Sequence, residues 1–424
     1  MNATVSSSAS AVPDVIDRLV GIAPGSHLDQ IRAQREQART HAQQSYLSLF
    51  APTPPVFGHF EIADRFAVAA FLAGLHGQAE VAHFYADALA GQGARAGVAD
   101  AISAETKRGT AEGPYGRYPA GPLSAEDTAG PSYAVSDAQR PVLGERLSAG
   151  LAHAHLLVFH PRDASPAALQ SLLDAGWSST EIVTLSQLVG PFSHSRFASS
   201  PACRRWRNAP SPLSIDPRNS TMTIESALSH PHNTHPIAFT QAQLEWLPWL
   251  EPLPEAELTE RHFAGLVDAS RAKSPYFRLL ARDPDILGAR TRTDKDIFYN
   301  PEAGLPRAER ELSAAAASRY NGCIYCASVH ARFASLFSQR TDDVQRLLDE
   351  GVKADLGERW NAIVAASVAL SSTPSTFGQE HIEQLRAQGL DDLAIADVIH
   401  GAAFFNWANR LMLSLSEPQK QAAA

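Results

Sequence analysis

Cysteine and methionine are scarce in this chain: 424 residues hold three of each. Three cysteines cannot build a disulfide scaffold, and a chain this long buries a sizeable core without one. A reducing, cytoplasmic setting is expected, where a CxxC pair is catalytic or metal-binding rather than structural. Positive charge is also short. Lys and Arg number 36 against 45 Asp and Glu, a formal net charge of −9, which argues against a nucleic-acid or anionic-membrane partner. No apolar run is long enough to span a bilayer. The opening residues, MNATVSSSASAVP, lack the basic and apolar segments of a signal peptide, so 1–25 is expected to be a disordered tail. There is no flavin or nicotinamide signature, and Val and Ile do not alternate as in strands. The expected fold class is all-α.

What is present is helical spacing punctuated by breakers. A polar helix is expected over 26–50 with Ser26 as its cap, ended by the prolines Pro52, Pro54 and Pro55. An Ala-rich helical stretch, 62–89, follows. Residues 91–141 are rich in Gly, Ala, Ser and Pro without sustained periodicity and are read as a long mobile insertion. Helices are expected over 143–158, 166–175 and 179–190. Residues 201–240 are read as a linker. In 241–290 an apolar start, with Trp246 and Trp249, is interrupted by Pro248, Pro252 and Pro254; it is expected to cover the second half or to form an interface. Helices then run over 305–336, 342–350, 356–370, 379–388 and 391–415.

The chain repeats itself. LGER at 143–146 recurs at 356–359, with Pro161 falling on Pro374, Leu172 on Leu385 and Gly176 on Gly389. Upstream, Ala63 falls on Ala308, Arg65 on Arg310 and Gly77 on Gly322. Two copies of one helical unit are therefore expected, 26–200 and 241–424.

Chemistry concentrates in the second copy, in NGCIYCASVH, residues 321–330. On a helix Cys323, Cys326 and His330 share one face. A helix beginning near Asn321–Gly322 places both thiols at its positive end, which lowers thiol pKa. At the equivalent places the first copy has Gln78, Val81 and Tyr85, and it has Phe66 opposite Glu311. The first copy is thus expected to pack, and the second to react.

Glu311, then Cys323-x-x-Cys326, then His330 resembles the proton-relay pattern of the alkylhydroperoxidase D-like branch of the carboxymuconolactone decarboxylase superfamily. The endings of the copies, GLDDLAIADVIHGAAFFNWANRL at 389–411 and GWSSTEIVTLSQLVGPFSHSRF at 176–197, are similar to the same family. The resemblance covers 305–415 well and 61–197 more weakly. It implies tandem alkylhydroperoxidase D-like helical domains, the first degenerate, and an enzyme of peroxiredoxin type that reduces organic hydroperoxides. It implies that Cys326 attacks peroxide, Cys323 resolves the sulfenic acid, and His330 and Glu311 relay the proton. No bound cofactor is implied; an outside thiol or dithiol, from a small molecule or a protein, restores the pair. Relatives assemble as trimers or hexamers, so a homo-oligomer is expected. One departure stands at Tyr325, where the best-studied branch has histidine, a better base near neutral pH.

The same residues admit other readings. Cys323, Cys326 and His330 give three candidate zinc ligands, where a structural site wants four. Ala327 follows the second cysteine where c-type haem attachment needs histidine. Two buried bystander thiols are a third reading, and Glu311 alone could be a charged helix residue beside Arg307 and Arg310. His400, Phe404, Phe405, Asn406, Trp407 and Arg410 are read as core and interface, with His400 as a pocket candidate. HPHNTH at 230–235 is read as loop, and Cys203 as a free thiol. The alternative functions are a decarboxylase- or isomerase-like enzyme, a thiol–disulfide oxidoreductase without peroxidase activity, and a non-enzymatic assembly protein.

Overall fold

Ser and Asp side chains start many of the helices. Asp14, Ser26, Ser165, Ser178 and Asp391 each accept a backbone N–H from three residues ahead, which satisfies a donor the helix itself leaves free. The computed structural model describes residues 14–53, 59–189 and 225–421. Among these, eighteen α-helices and one small sheet occur. The first three helices are α1 (Val15–Leu19), α2 (His27–Ala33) and α3 (Glu36–Phe50). The first copy follows as α4 (Ile62–Leu75), α5 (Ala79–Gly91), α6 (Val98–Gly109), α7 (Arg140–Phe159), α8 (Pro166–Asp174) and α9 (Ser179–Leu188). Strand β1 (Leu244–Pro248), α10 (Glu260–Leu266), α11 (Pro275–Leu280) and α12 (Pro284–Tyr299) lead into the second copy. That copy is α13 (Arg307–Asn321), α14 (Ile324–Ser338), α15 (Thr341–Glu350), α16 (Glu358–Ser371), α17 (Gln379–Ala387) and α18 (Asp392–Leu415), with β2 (Ser416–Lys420) closing it.

The two copies correspond helix by helix, from α4 and α13 to α9 and α18. Even the kink is shared: Gly144 and Gly357 both have positive φ, 77° and 84°. Arg65 and Arg310 do the same work. Arg65 donates to the carbonyls of Phe60 and Leu49, and Arg310 to those of Leu305 and Ile297. Both guanidiniums tie the chain entering the copy to its first helix, so Arg310 is structural.

Helix α12 packs along α3, and one core runs through both copies, from Phe66 and Leu72 to Cys326 and Phe404. A second core, with Leu312, Trp360 and Val398, belongs mainly to the second copy. Between them Arg35, at the junction of α2 and α3, reaches across to Asp397 on α18 with two hydrogen bonds of 2.8 Å.

Several expectations change. The segment 91–141 is an ordered part of the fold. Helix α6 lies in it and buries Val98, Ala101 and Ile102, an apolar spacing too short to stand out from the surrounding Ala and Gly. Beyond it the chain straps the second copy. Gly113 pairs with Thr373, and Glu126 accepts two hydrogen bonds from Arg319, at 2.7 and 2.6 Å. Within the expected tail 1–25, residues 14–25 include α1 and bury Val15 and Val20; residues 1–13 lie outside the described residues. The helix expected over 26–50 is two, because the backbone turns out of helix at Arg35. Strands do occur: β1 and β2 form an antiparallel pair from Leu244↔Lys420 to Pro248↔Ser416, five residues that alternate too briefly to be read. Cys203 and residues 201–224 of the linker lie outside the described residues.

Candidate active site

The turn between α13 and α14 is where the sequence does most to place chemistry. Gly322 ends α13 in the left-handed region, φ 84°. A Cβ there would also lie 2.4 Å from Arg162 Cδ and 3.1 Å from the Tyr118 hydroxyl, so only glycine fits. Asn321, buried, donates to the side-chain oxygens of Asn406 and Asn409 at 3.1 and 3.0 Å, which fixes the end of α13 against α18. Cys323 then becomes the N-cap of α14, its sulfur accepting the Cys326 N–H at 3.4 Å.

The two sulfurs are 2.9 Å apart, unbonded and buried, and Cys323 Sγ–H donates to Cys326 Sγ. The helix end does not lower both thiols. Burial, and then the Cys326 thiol, push Cys323 well above its ordinary range, against the opposing pull of the Cys326 and Tyr325 N–H groups. Desolvation outweighs the helix terminus here. Cys323 therefore keeps its proton.

One turn on, His330 Nδ1 meets Glu311 Oε2 at 2.5 Å. Glu311 is 1% exposed, and its other oxygen accepts from Arg307 Nε at 2.5 Å. With a carboxylate accepting at Nδ1, the neutral ring carries its proton there and presents Nε2 as the base. Phe405 stands edge-on to the imidazole, ring centroids 3.9 Å apart, and Phe298 lies at 5.5 Å. These two rings hold the imidazole plane and keep water out. The four residues singled out in sequence, Glu311, Cys323, Cys326 and His330, are thus gathered on two adjoining helices.

Tyr325 points into the same neighbourhood. Burial pushes its hydroxyl up, with the Tyr276 and Cys326 charges adding to the effect. It stays protonated and does not act as a base. His400 is elsewhere: it lines a separate cavity of about 250 Å3 beside Arg35 and Ile399, and burial lowers its pKa. In the 230–235 loop, His230 Nε2 contacts the Pro248 carbonyl at 2.8 Å and His235 pairs with Glu417 at 2.9 Å. Among the described residues no group of three or more His, Cys, Asp or Glu is placed to hold a metal ion.

Three residues near the site are not among those the sequence singles out, and all precede the stretch 305–415 that carries the family resemblance. Tyr276 is close enough to feel a Cys326 thiolate, and its hydroxyl accepts a hydrogen bond from Arg290. Asp294, half-buried, feels the charges of Arg290, His330 and Glu311, and burial pushes its carboxyl up. Phe298 packs on His330. The repeat held no direct signal for Phe298, because the register that sets Tyr85 against His330 sets Phe50 against Lys295. Phe50 still lies 5.3 Å from Tyr85, a similar contact in the first copy.

Parts of the chain are similar to known proteins. Residues 284–369 match the carboxymuconolactone decarboxylase family. The matched domain begins at α12, earlier than the expected 305, which brings Asp294 and Phe298 inside it. Three solved structures are similar to parts of the chain. An alkylhydroperoxidase core, a peroxidase-related protein from Ralstonia eutropha JMP134, is 21% identical over 40% of this chain and 90% of its own, with a TM-score of 0.35. A peroxidase-related protein from Silicibacter sp. TM1040 is 26% identical over 31% and 69%, with a TM-score of 0.29. The debrominase Bmp8 is 21% identical over 38% and 86%, with a TM-score of 0.31. No curated protein matches the chain. Among the described residues no helix is long and apolar enough to cross a membrane.

Proposed function

We propose that this protein is a thiol-dependent peroxidase that reduces organic hydroperoxides through Cys326 and Cys323. The observation that carries this reading is the reduced pair, sulfurs 2.9 Å apart, on the helix whose next turn holds the Glu311-bonded imidazole. The Cys326 thiolate attacks the outer peroxide oxygen. The O–O bond breaks, Cys326 becomes a sulfenic acid, and the alkoxide takes a proton from His330 and leaves as alcohol. Cys323 then attacks the sulfenic sulfur, a disulfide forms and water departs. An outside dithiol, or two thiols, reduces the disulfide and is itself oxidised. Glu311 acts on His330 rather than on substrate and is a positioning residue. With the thiols 2% and 4% exposed, substrate reaches them only when surrounding side chains part.

The test is non-reducing peptide mapping after one equivalent of cumene hydroperoxide. The expected product is a Cys323–Cys326 disulfide, one per chain, with one equivalent of alcohol released. Free thiols after peroxide is consumed, or a disulfide formed without alcohol, would overturn the reading. A second expectation concerns the relay. Glu311→Gln keeps a hydrogen-bond acceptor at His330 but removes the charge, and turnover should fall about 100-fold, the lower range for general acid–base assistance. The pH–rate profile should change with it, since the charge that faces the imidazole is removed. An unchanged rate and profile would leave Glu311 as a packing charge.

A further inference from the structure

The first copy keeps the walls of a site and none of its thiol chemistry. Val81 and Tyr85, the counterparts of Cys326 and His330, line a cavity of about 130 Å3 that Phe50, Leu188, Phe404 and Trp407 also border. Phe50 stacks on Phe66, which stands where Glu311 does, at 4.7 Å. The hydroxyls of Ser45 and Thr293 on its wall are engaged by their own helices, donating to the carbonyls of His41 and Ala289.

Two polar side chains on the wall are not so engaged. Gln187 is 1% exposed, and neither atom of its carboxamide has a hydrogen-bond partner. Arg290 buries Nε and Nη1 without a partner, while Nη2 donates to Tyr276. The acid one turn along from it, Asp294, has its carboxyl pushed up by burial, which weakens it as a counter-ion. Native interiors rarely leave a buried amide and a guanidinium unsatisfied, and an apolar cavity with a few converging polar groups is the usual form of a small-molecule site.

We infer that this cavity binds a monocyclic aromatic carboxylic acid of about benzoate's size. An apolar cavity of about 150 Å3 takes up benzene, and at about 130 Å3 this one is of the same order and holds at most one ring. The ring packs against Val81, Leu188 and Phe404. The carboxylate accepts from the free donors of Arg290 and from Gln187 Nε2. Val81 and Tyr85, though bulkier than their second-copy counterparts, border the space without filling it.

Titration calorimetry of the intact protein with benzoate, and with toluene as the uncharged isostere, tests this. Benzoate should bind one per first-copy cavity and more tightly than toluene. Val81→Phe and Ala42→Leu each place bulk in the cavity and should abolish binding of both probes. Two such variants, each checked for an unchanged melting temperature, guard against loss by misfolding. Gln187→Leu and Arg290→Met should weaken benzoate at least tenfold and leave toluene unaffected. Failure of the parent protein to bind benzoate, or benzoate binding that survives both filling variants, would overturn the inference. Equal binding of toluene and benzoate would overturn the carboxylate recognition. The readout is binding, so it stands apart from whether Cys326 reduces hydroperoxides.

Discussion

Cys326→Ser is expected to bring hydroperoxide turnover below about one thousandth of the parent rate, because the nucleophile of the attacking step is removed and no other group replaces it. Cys323→Ser should behave differently. It retains the nucleophile, so it consumes one equivalent of hydroperoxide and then stalls as a sulfenic acid unless thiol is added. The asymmetry follows from the helix. Cys323 is the cap, and burial together with the neighbouring thiol holds its proton on. Cys326 lies inside the first turn, where it receives the Cys323 Sγ–H and has His330 one turn further along the helix. Stopped-flow consumption of cumene hydroperoxide, with trapping of the sulfenic acid by dimedone, separates the two variants. Both substitutions replace a small buried side chain by one of similar volume, so circular dichroism and melting should change little. A Cys326→Ser protein that keeps a tenth of the parent rate, or dimedone adducts on Cys323 in the parent, would reverse the assignment.

How far the sequence carried this site can be judged from individual residues. Gly322, Cys323, Cys326 and His330 were legible because one local helix start fixes all four, and local geometry is what spacing reports. Glu311 was legible only through a family pattern; nothing in its spacing says that Oε2 faces Nδ1 across two helices. Tyr276, Arg290 and Asp294 were not legible, since the β1–α12 region joins the site by tertiary packing alone. The sign of the Cys323 shift was read wrongly. A helix terminus can be seen in sequence, but 2% exposure cannot, and burial decides. The 91–141 segment failed for a related reason: Gly and Pro there serve close approach, as at Gly113 against Phe159, rather than disorder.

Arg35→Met is expected to lower folding stability by about 3–5 kcal/mol, the usual cost of removing one partner of a buried ion pair. Arg35 and Asp397 are 1% and 0% exposed, and their hydrogen bonds at 2.8 Å are both charge-assisted. Methionine fills much of the volume but leaves the carbonyls of Glu302 and Ala303, which accept from Arg35 at 2.9 and 3.1 Å, without their donor. It also leaves Asp397 with the Leu305 N–H at 2.9 Å and the more distant Arg310 at 3.4 Å. Neighbours cannot collapse onto the gap, because Gly304 approaches so closely that a Cβ would lie 2.3 Å from Asp397 Oδ2 and 2.6 Å from Arg35 Nη2. Arg35→Lys keeps the charge and loses the planar fork, so its urea midpoint should fall between parent and Met variant. Lys273→Met provides the control: its pair with Glu255 is 2.7 Å long but exposed, at 79% and 48%, and the midpoint should not move. Coincident midpoints for the parent and Arg35→Met would mean that the first three helices are not anchored through α18. Loss of the midpoint with hydroperoxide turnover intact in the folded fraction would mean that this anchor serves the union of the two copies, and that the Glu311–His330 pair is held by α13 and α14 alone.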